Sequence, residues 1–212
     1  MTNHEAKAWH HEVITGSTET TLLALREASL LDQFYLAGGT GLALQLGHRL
    51  SHDLDFFATD FFNEETLLQR VQNLEAFSLT SKAPHTIHAT IRKTKVSFLG
   101  YVYPLLFSTV RFLDVAVADP RDIACMKISA IASRGTKRDF IDLYMCAQRF
   151  GIADLLLLFE RKYEKASYQK MHLLKSLVFF EDAEKDPMPD MLVPVEWPAV
   201  KRFFVREAAQ IR

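Results

Sequence analysis

The chain has 212 residues, 49% of them apolar and 16 of them Phe. That is enough to bury a sizeable core in one or two domains and excludes a disordered polymer. Lys plus Arg number 25 and Asp plus Glu 26, a net charge of −1, which excludes a general polyanion coat and leaves any nucleic-acid contact to a local basic patch.

In chain order, Thr20 to about Leu31 reads as an amphipathic helix, with Leu22, Leu23, Leu25, Ala28 and Leu30 mostly on one face. A short apolar strand, Phe34–Ala37, runs into Gly38-Gly39-Thr40, and a helix from Thr40 to about Gly47 follows. The next strand, Asp53–Phe57, carries two acids at i and i+2, which share one face of a strand. Asn63 suits the N-cap of a helix to about Val71. Phe77–Lys82, Thr86–Arg92 and Lys95–Val102 alternate like three antiparallel strands, and Val110–Val117 reads as one more. Asp119-Pro120-Arg121-Asp122 is a helix start with an acid at the N-cap and Pro at N1. That helix is expected to end near Gly135, and Thr136 to Asp139 resembles a capping box opening another that ends near Gly151. The remainder reads as helical, with a proline-bearing loop over 186–194 and a last helix from about Trp197. The order predicts an α+β chain: a mixed sheet with flanking helices over residues 1–118, and a C-terminal helical lobe over 119–212.

Several residues in this frame suit phosphate chemistry. Bare backbone at Gly38 and Gly39 lets phosphate oxygens approach the N–H groups opening the helix. Asp53 and Asp55 are flanked by Leu54, Phe56 and Phe57, and two buried like charges need compensation, which a divalent cation would supply. Thr40 either caps the helix or bonds a phosphate. Arg49 either binds a phosphate or pairs with Asp53 or Asp55. Ser51 contacts a nucleotide or finishes the turn, and His48 and His52 read as polar loop residues. Lys127 lies in an otherwise apolar helix, either snorkelling at an edge or held to neutralise phosphate. Asp139 and Asp142, three apart, share a helix face. Asp142 has no capping role, whereas a Lys127–Asp142 ion pair is a structural alternative. Arg134, Lys137 and Arg138, and the run Arg161, Lys162 and Lys165, are candidate basic patches or ordinary solvated faces. Cys125 and Cys146 lack metal-ligand spacing and read as buried free thiols. The N-terminus is polar and no apolar run is long enough to cross a bilayer, so a cytoplasmic location with no membrane partner is expected.

Taken together these words resemble the AbiEii/AbiGii toxin family of nucleotidyltransferases, within the DNA-polymerase-β-like superfamily. The matching segments are Leu36 through Arg49 with Ser51 through Phe57, and Asp122 through Lys127 with Arg134 through Tyr144. Phe179 through Glu184, Pro187 to Pro189 and Trp197 are similar to the family as well. The resemblance implies a polymerase-β-like sheet domain and a helical lobe that completes the site. It implies that Gly39 and Thr40 hold nucleotide phosphates with Ser51 close by, and Gly38 and Arg49 join them as nucleotide-binding candidates from their own chemistry. It also implies that Asp53 and Asp55 bind Mg²⁺ or Mn²⁺, and that Lys127 and Asp142, with Asp139, act from the helical lobe. The implied reaction moves an NMP from an NTP to a hydroxyl such as a tRNA 3′ end, in a toxin–antitoxin or phage-defence system. A separate winged-helix antitoxin is the implied protein partner. One departure stands out: the superfamily commonly places a third acid on a later strand, where this chain has Ser97. Asp114 is a candidate substitute. The change leaves open a catalytically weakened nucleotide- or RNA-binding module.

Overall fold

The computed structural model describes residues 8–210. After a short 3-10 turn (His11–Val13), the elements are α1 (Gly16–Glu27), β1 (Tyr35–Leu36), α2 (Gly38–Leu46), β2 (Leu54–Ala58) and α3 (Glu64–Val71). Strands β3 (Phe77–Ala83), β4 (Thr86–Ile91), β5 (Thr94–Gly100), β6 (Val110–Phe112) and β7 (Val115–Val117) follow. The chain then turns helical: α4 (Pro120–Ser133), α5 (Lys137–Phe150), α6 (Ile152–Lys162), α7 (Lys170–Ser176), α8 (Glu181–Lys185) and α9 (Trp197–Gln210). Among the described residues no helix is long and apolar enough to cross a membrane.

The strands form one mixed sheet in the order β3-β4-β5-β2-β1-β7-β6. β2 pairs in parallel with β5 and antiparallel with β1, and β1 pairs in parallel with β7. Strand alternation sends Leu54, Phe56, Val96 and Phe98 into a core with Leu22, Leu25, Leu67 and Val71 of α1 and α3. The opposite face, marked by Tyr35 and Ala37, packs on α4–α9 through Leu42, Ile123, Ile128, Phe140 and Phe204. Asp55 lies on that second face, between the sheet and the helices.

Local chemistry explains most element ends. Asn63 accepts from the Thr66 N–H, and Asp119 accepts from the Arg121 N–H with Pro120 at the first helical position. α1 starts earlier than expected because Thr15 caps it through the Thr18 N–H. The expected single strand Val110–Val117 is a hairpin instead: Leu113 and Asp114 both take positive φ, 47° and 62°. Two such residues make the mirror-image turn that suits strand twist, and Leu113-Asp114 lacks the Asn-Gly signal that usually announces it. The helix expected from Thr40 begins at Gly38, so both glycines belong to its first turn.

Candidate active site

The site is assembled where β1 turns into α2. Gly38 takes φ +61°, in the left-handed region that glycine tolerates. A Cβ there would stand 2.6 Å from Asp55 Oδ2, and one at Gly39 would stand 2.3 Å from an Arg49 guanidinium nitrogen. The glycines therefore admit a carboxylate and a guanidinium against bare backbone. The first i−4 helical bond of α2 runs from the Gly41 N–H to the Ala37 carbonyl, so the N–H groups of Gly38, Gly39 and Thr40 precede the ladder.

The loop between α2 and β2 is tied down at several points. Thr40 donates its hydroxyl to the Asp53 carbonyl and so takes its other hydroxyl contact, with Ser51 at 2.8 Å, as acceptor. It neither caps α2, whose N-cap is Ala37, nor presents a free hydroxyl; it fixes Asp53 beside the turn. The proline-bearing loop closes over the same segment, with Leu50 N–H donating to Asp190 O and Leu192 N–H to His48 O.

A buried charge cluster stands at the helical wall of the cavity, with Arg49, Lys127, Arg134 and Asp139 in its lining. Asp142 accepts from Arg49 Nε at 2.7 Å and Nη2 at 2.8 Å, and bonds His48 Nε2 at 2.8 Å. It also pairs with Lys127 Nζ at 2.7 Å. Asp139 accepts from Lys127 Nζ at 3.0 Å, Arg134 Nε at 3.0 Å and Thr136 Oγ1 at 2.7 Å. Two expectations are corrected here. Arg49 pairs with Asp142 rather than with Asp53 or Asp55. Thr136 makes no side-chain cap bond to the backbone, so Asp139 is a charge anchor rather than a capping-box acid. Asp142 itself is 0% exposed and pairs with both Arg49 and Lys127, so the Lys127–Asp142 ion pair left open by the sequence is formed.

Electrostatics separates Asp55 from Asp139 and Asp142. Burial alone would raise Asp142, but Lys127 and Arg49 outweigh it and hold the carboxyl well below the usual range. Burial likewise opposes Lys127 and Arg134 at Asp139, and the cations win, leaving it at about 2. Burial would lower Lys127, yet Asp142 and Asp139 keep it raised and charged. Asp55 goes the other way: burial raises it and neighbouring Asp53 adds to the rise, against Ser97, Lys127 and Arg134. The helical-lobe acids are saturated with cations, whereas Asp55 is short of positive charge.

A cavity of about 230 Å³ is lined by Gly39, Asp53, Asp55, Lys127, Arg134 and Arg138. Asp53, just ahead of β2, and Asp55 thus face one space opposite the glycine turn. On one side it meets a cavity of about 530 Å³ with Lys93, Lys95 and Arg138 in its wall. On the other it meets one of about 400 Å³ walled by Phe57, His88, Ser97, Tyr101 and Met126. Of the basic candidates, Arg134 and Arg138 reach the site. Lys137 is buried on Asp186, and Lys162 is buried in an ion pair with Asp122 at 2.7 Å, so neither is part of a surface patch.

Ser97 is the direct parallel-strand partner of Asp55. Asp114 stands in the β6–β7 turn with its side chain 87% exposed, near Arg26, and lines none of the three cavities; it does not substitute for an acid there. Sequence reasoning missed the Arg134 clamp on Asp139 and the His88–Ser97 pair. The latter left a faint trace, since Ile87, Ala89 and Ile91 alternate with His88 and Thr90.

The mixed sheet with a carboxylate pair against a glycine turn is a nucleotidyltransferase fold. Similar solved structures include MenT4, a nucleotidyltransferase toxin from Mycobacterium tuberculosis H37Rv. The match has TM-score 0.55 and 17% identity over 92% of this chain and 84% of that one. ANT(2″)-Ia in complex with adenylyl-2″-tobramycin matches with TM-score 0.51 and 14% identity, over 71% of this chain and 99% of that one. An uncharacterized protein of Aquifex aeolicus (strain VF5) is 34% identical over 187 residues, 85% of this chain and 89% of the relative. The family model described as "Nucleotidyl transferase AbiEii toxin, Type IV TA system" matches residues 21–105 and 96–210. The chain belongs to the AbiEii nucleotidyltransferase toxin family.

Proposed function

We propose that this cleft transfers a nucleotide from an NTP to an acceptor hydroxyl on RNA, with tRNA the class of acceptor, as the toxin of a toxin–antitoxin pair whose antitoxin is a separate protein. The observation that carries the reading is the seating of Asp55 on Gly38 with Asp53 in the same cavity.

The donor set suits Mg²⁺ or Mn²⁺. Among the described residues no group of three or more His, Cys, Asp or Glu is placed to hold a metal, so an all-protein cage is not on offer. Two carboxylates completed by substrate phosphates are instead the usual Mg²⁺ arrangement, and Asp55's deficit of positive charge fits it. Bound there, the cation would polarise the α-phosphate and neutralise its developing charge.

The protein's own groups do the rest. The free N–H groups of Gly38, Gly39 and Thr40 orient phosphate oxygens at the helix N-terminus. Lys127 gives two of its three N–H groups to Asp139 and Asp142, which leaves one for the phosphates. Arg134 and Arg138 add charge at the rim. The acceptor oxygen bonds the α-phosphorus in line, and the bond from that phosphorus to the bridging oxygen breaks, releasing pyrophosphate. Asp142, Asp139 and His48 position the cations without touching the reacting atoms.

The test is incubation of purified protein with α-labelled NTPs and total tRNA, with and without Mg²⁺. Mg²⁺-dependent label in RNA is expected. NTP binding without labelled product contradicts transfer and supports the weakened binding module that Ser97 suggests; label on polypeptide contradicts the RNA acceptor.

A further inference from the structure

The transfer reaction, on which this inference rests, needs somewhere for the acceptor's proton to go. Asp139 and Asp142 are saturated by cations. Asp53 and Asp55 are committed to the metal in the reading above. On the sheet face beside Asp55, the row continues across β5 to Ser97 and across β4 to His88, each the direct partner of the one before. Ser97 Oγ and His88 Nδ1 are 3.1 Å apart. All three residues wall the same cavity of about 400 Å³, with Lys127, Arg134 and Tyr101 as the other charged or titratable groups facing it.

A base at Nε2 requires the Nδ1–H tautomer of His88. Ser97 Oγ stands 3.1 Å from Nδ1, where it can accept that hydrogen and leave Nε2 the lone pair.

We propose that His88 is the general base of the transfer: Nε2 takes the acceptor's hydroxyl proton as that oxygen bonds the α-phosphorus, and pyrophosphate leaves with the electrons of the broken P–O bond. Ser97 is a positioning residue that sets the His88 tautomer.

The test uses the full chain with α-labelled NTP and total tRNA, reading labelled RNA and pyrophosphate. His88→Ala is expected to lower kcat by about 100-fold with KM for NTP unchanged, and added imidazole to restore part of the rate. His88→Gln, which keeps size and a hydrogen bond to Ser97, serves if His88→Ala does not fold, and should be equally slow. Long-range nitrogen NMR of the wild type should show the Nδ1–H form. Wild-type rates in both variants, an Nε2–H tautomer, or the loss appearing in His52→Ala instead would overturn the assignment while the transfer reading stands. No transfer by the wild type would overturn both.

Discussion

At the scale of single residues, the site depends on atoms that are missing. Gly38→Ala must push a methyl group into Asp55 Oδ2 and force a left-handed backbone on a residue with a Cβ. The backbone effect alone costs on the order of 1 kcal/mol, so the variant should melt lower and lose transfer. A variant with wild-type melting and rate would show that the turn is not built this way. Asp55 gives a signed prediction. Its folded pKa is raised, so its charged form opposes folding, and the contribution present at low pH is lost as pH rises through the raised value. Asp55→Asn should therefore raise Tm at pH 7 without divalent cation, and the gain should vanish once the medium is acidic enough to protonate the wild-type carboxyl. Mg²⁺ should raise the Tm of the wild type and not of the variant. Equal Tm values for the two proteins across pH would count against a desolvated Asp55.

At the scale of elements, Asp139 and Asp142 join three pieces of chain: the loop after α2 through Arg49, helix α4 through Lys127, and their own helix α5. Removing one partner of such a buried set leaves uncompensated charge, so Asp142→Ala should cost about 3–5 kcal/mol, read by urea unfolding. A cost below about 1 kcal/mol, the value of an exposed pair, would contradict the buried cluster. Asp139 titrates at about 2 against an ordinary 3.8. Its folded pKa is depressed, so its stabilisation is complete above the ordinary value and is lost as pH falls toward 2. The shift corresponds to about 2 kcal/mol. Asp139→Asn should lose that amount at pH 7 and nearly nothing at pH 2; an equal loss at both would mean the anchor is not electrostatic.

The same scale shows what a sequence displays and what it hides. Asp53 and Asp55 were legible because strand period and the neighbouring glycines are local properties. Helices α3, α4 and α5 were legible because Asn63, Asp119 and the apolar spacing act within a few residues. The β6–β7 turn was not, since Leu113-Asp114 takes its conformation from strand twist rather than from turn-forming side chains. Arg49's partner was hidden for a different reason. Asp142 lies 93 positions away, and only the packing of α5 behind α2 selects it over Asp53, four positions on. The His88–Ser97–Asp55 row needed the strand order, because β2 and β5 are neighbours only once β3 and β4 have been laid outside them.

At the scale of the whole molecule, a net charge of −1 leaves room for a local group of cations. Lys93 and Lys95, at the β4–β5 turn and on β5, and Arg138 on α5 face the cavity of about 530 Å³ beside Asp53. A polyanionic acceptor would approach from that side. Lys93→Ala with Lys95→Ala should raise KM for tRNA and flatten its salt dependence, with little change in KM for the NTP. Unchanged tRNA kinetics across salt would remove RNA from that face. The most direct test of the central claim is the rate of nucleotide transfer by Asp53→Asn and Asp55→Asn, beside wild type, with folding verified by circular dichroism. The account predicts wild-type transfer that falls by about 100-fold or more in each folded variant. Transfer at wild-type rates by either would contradict it.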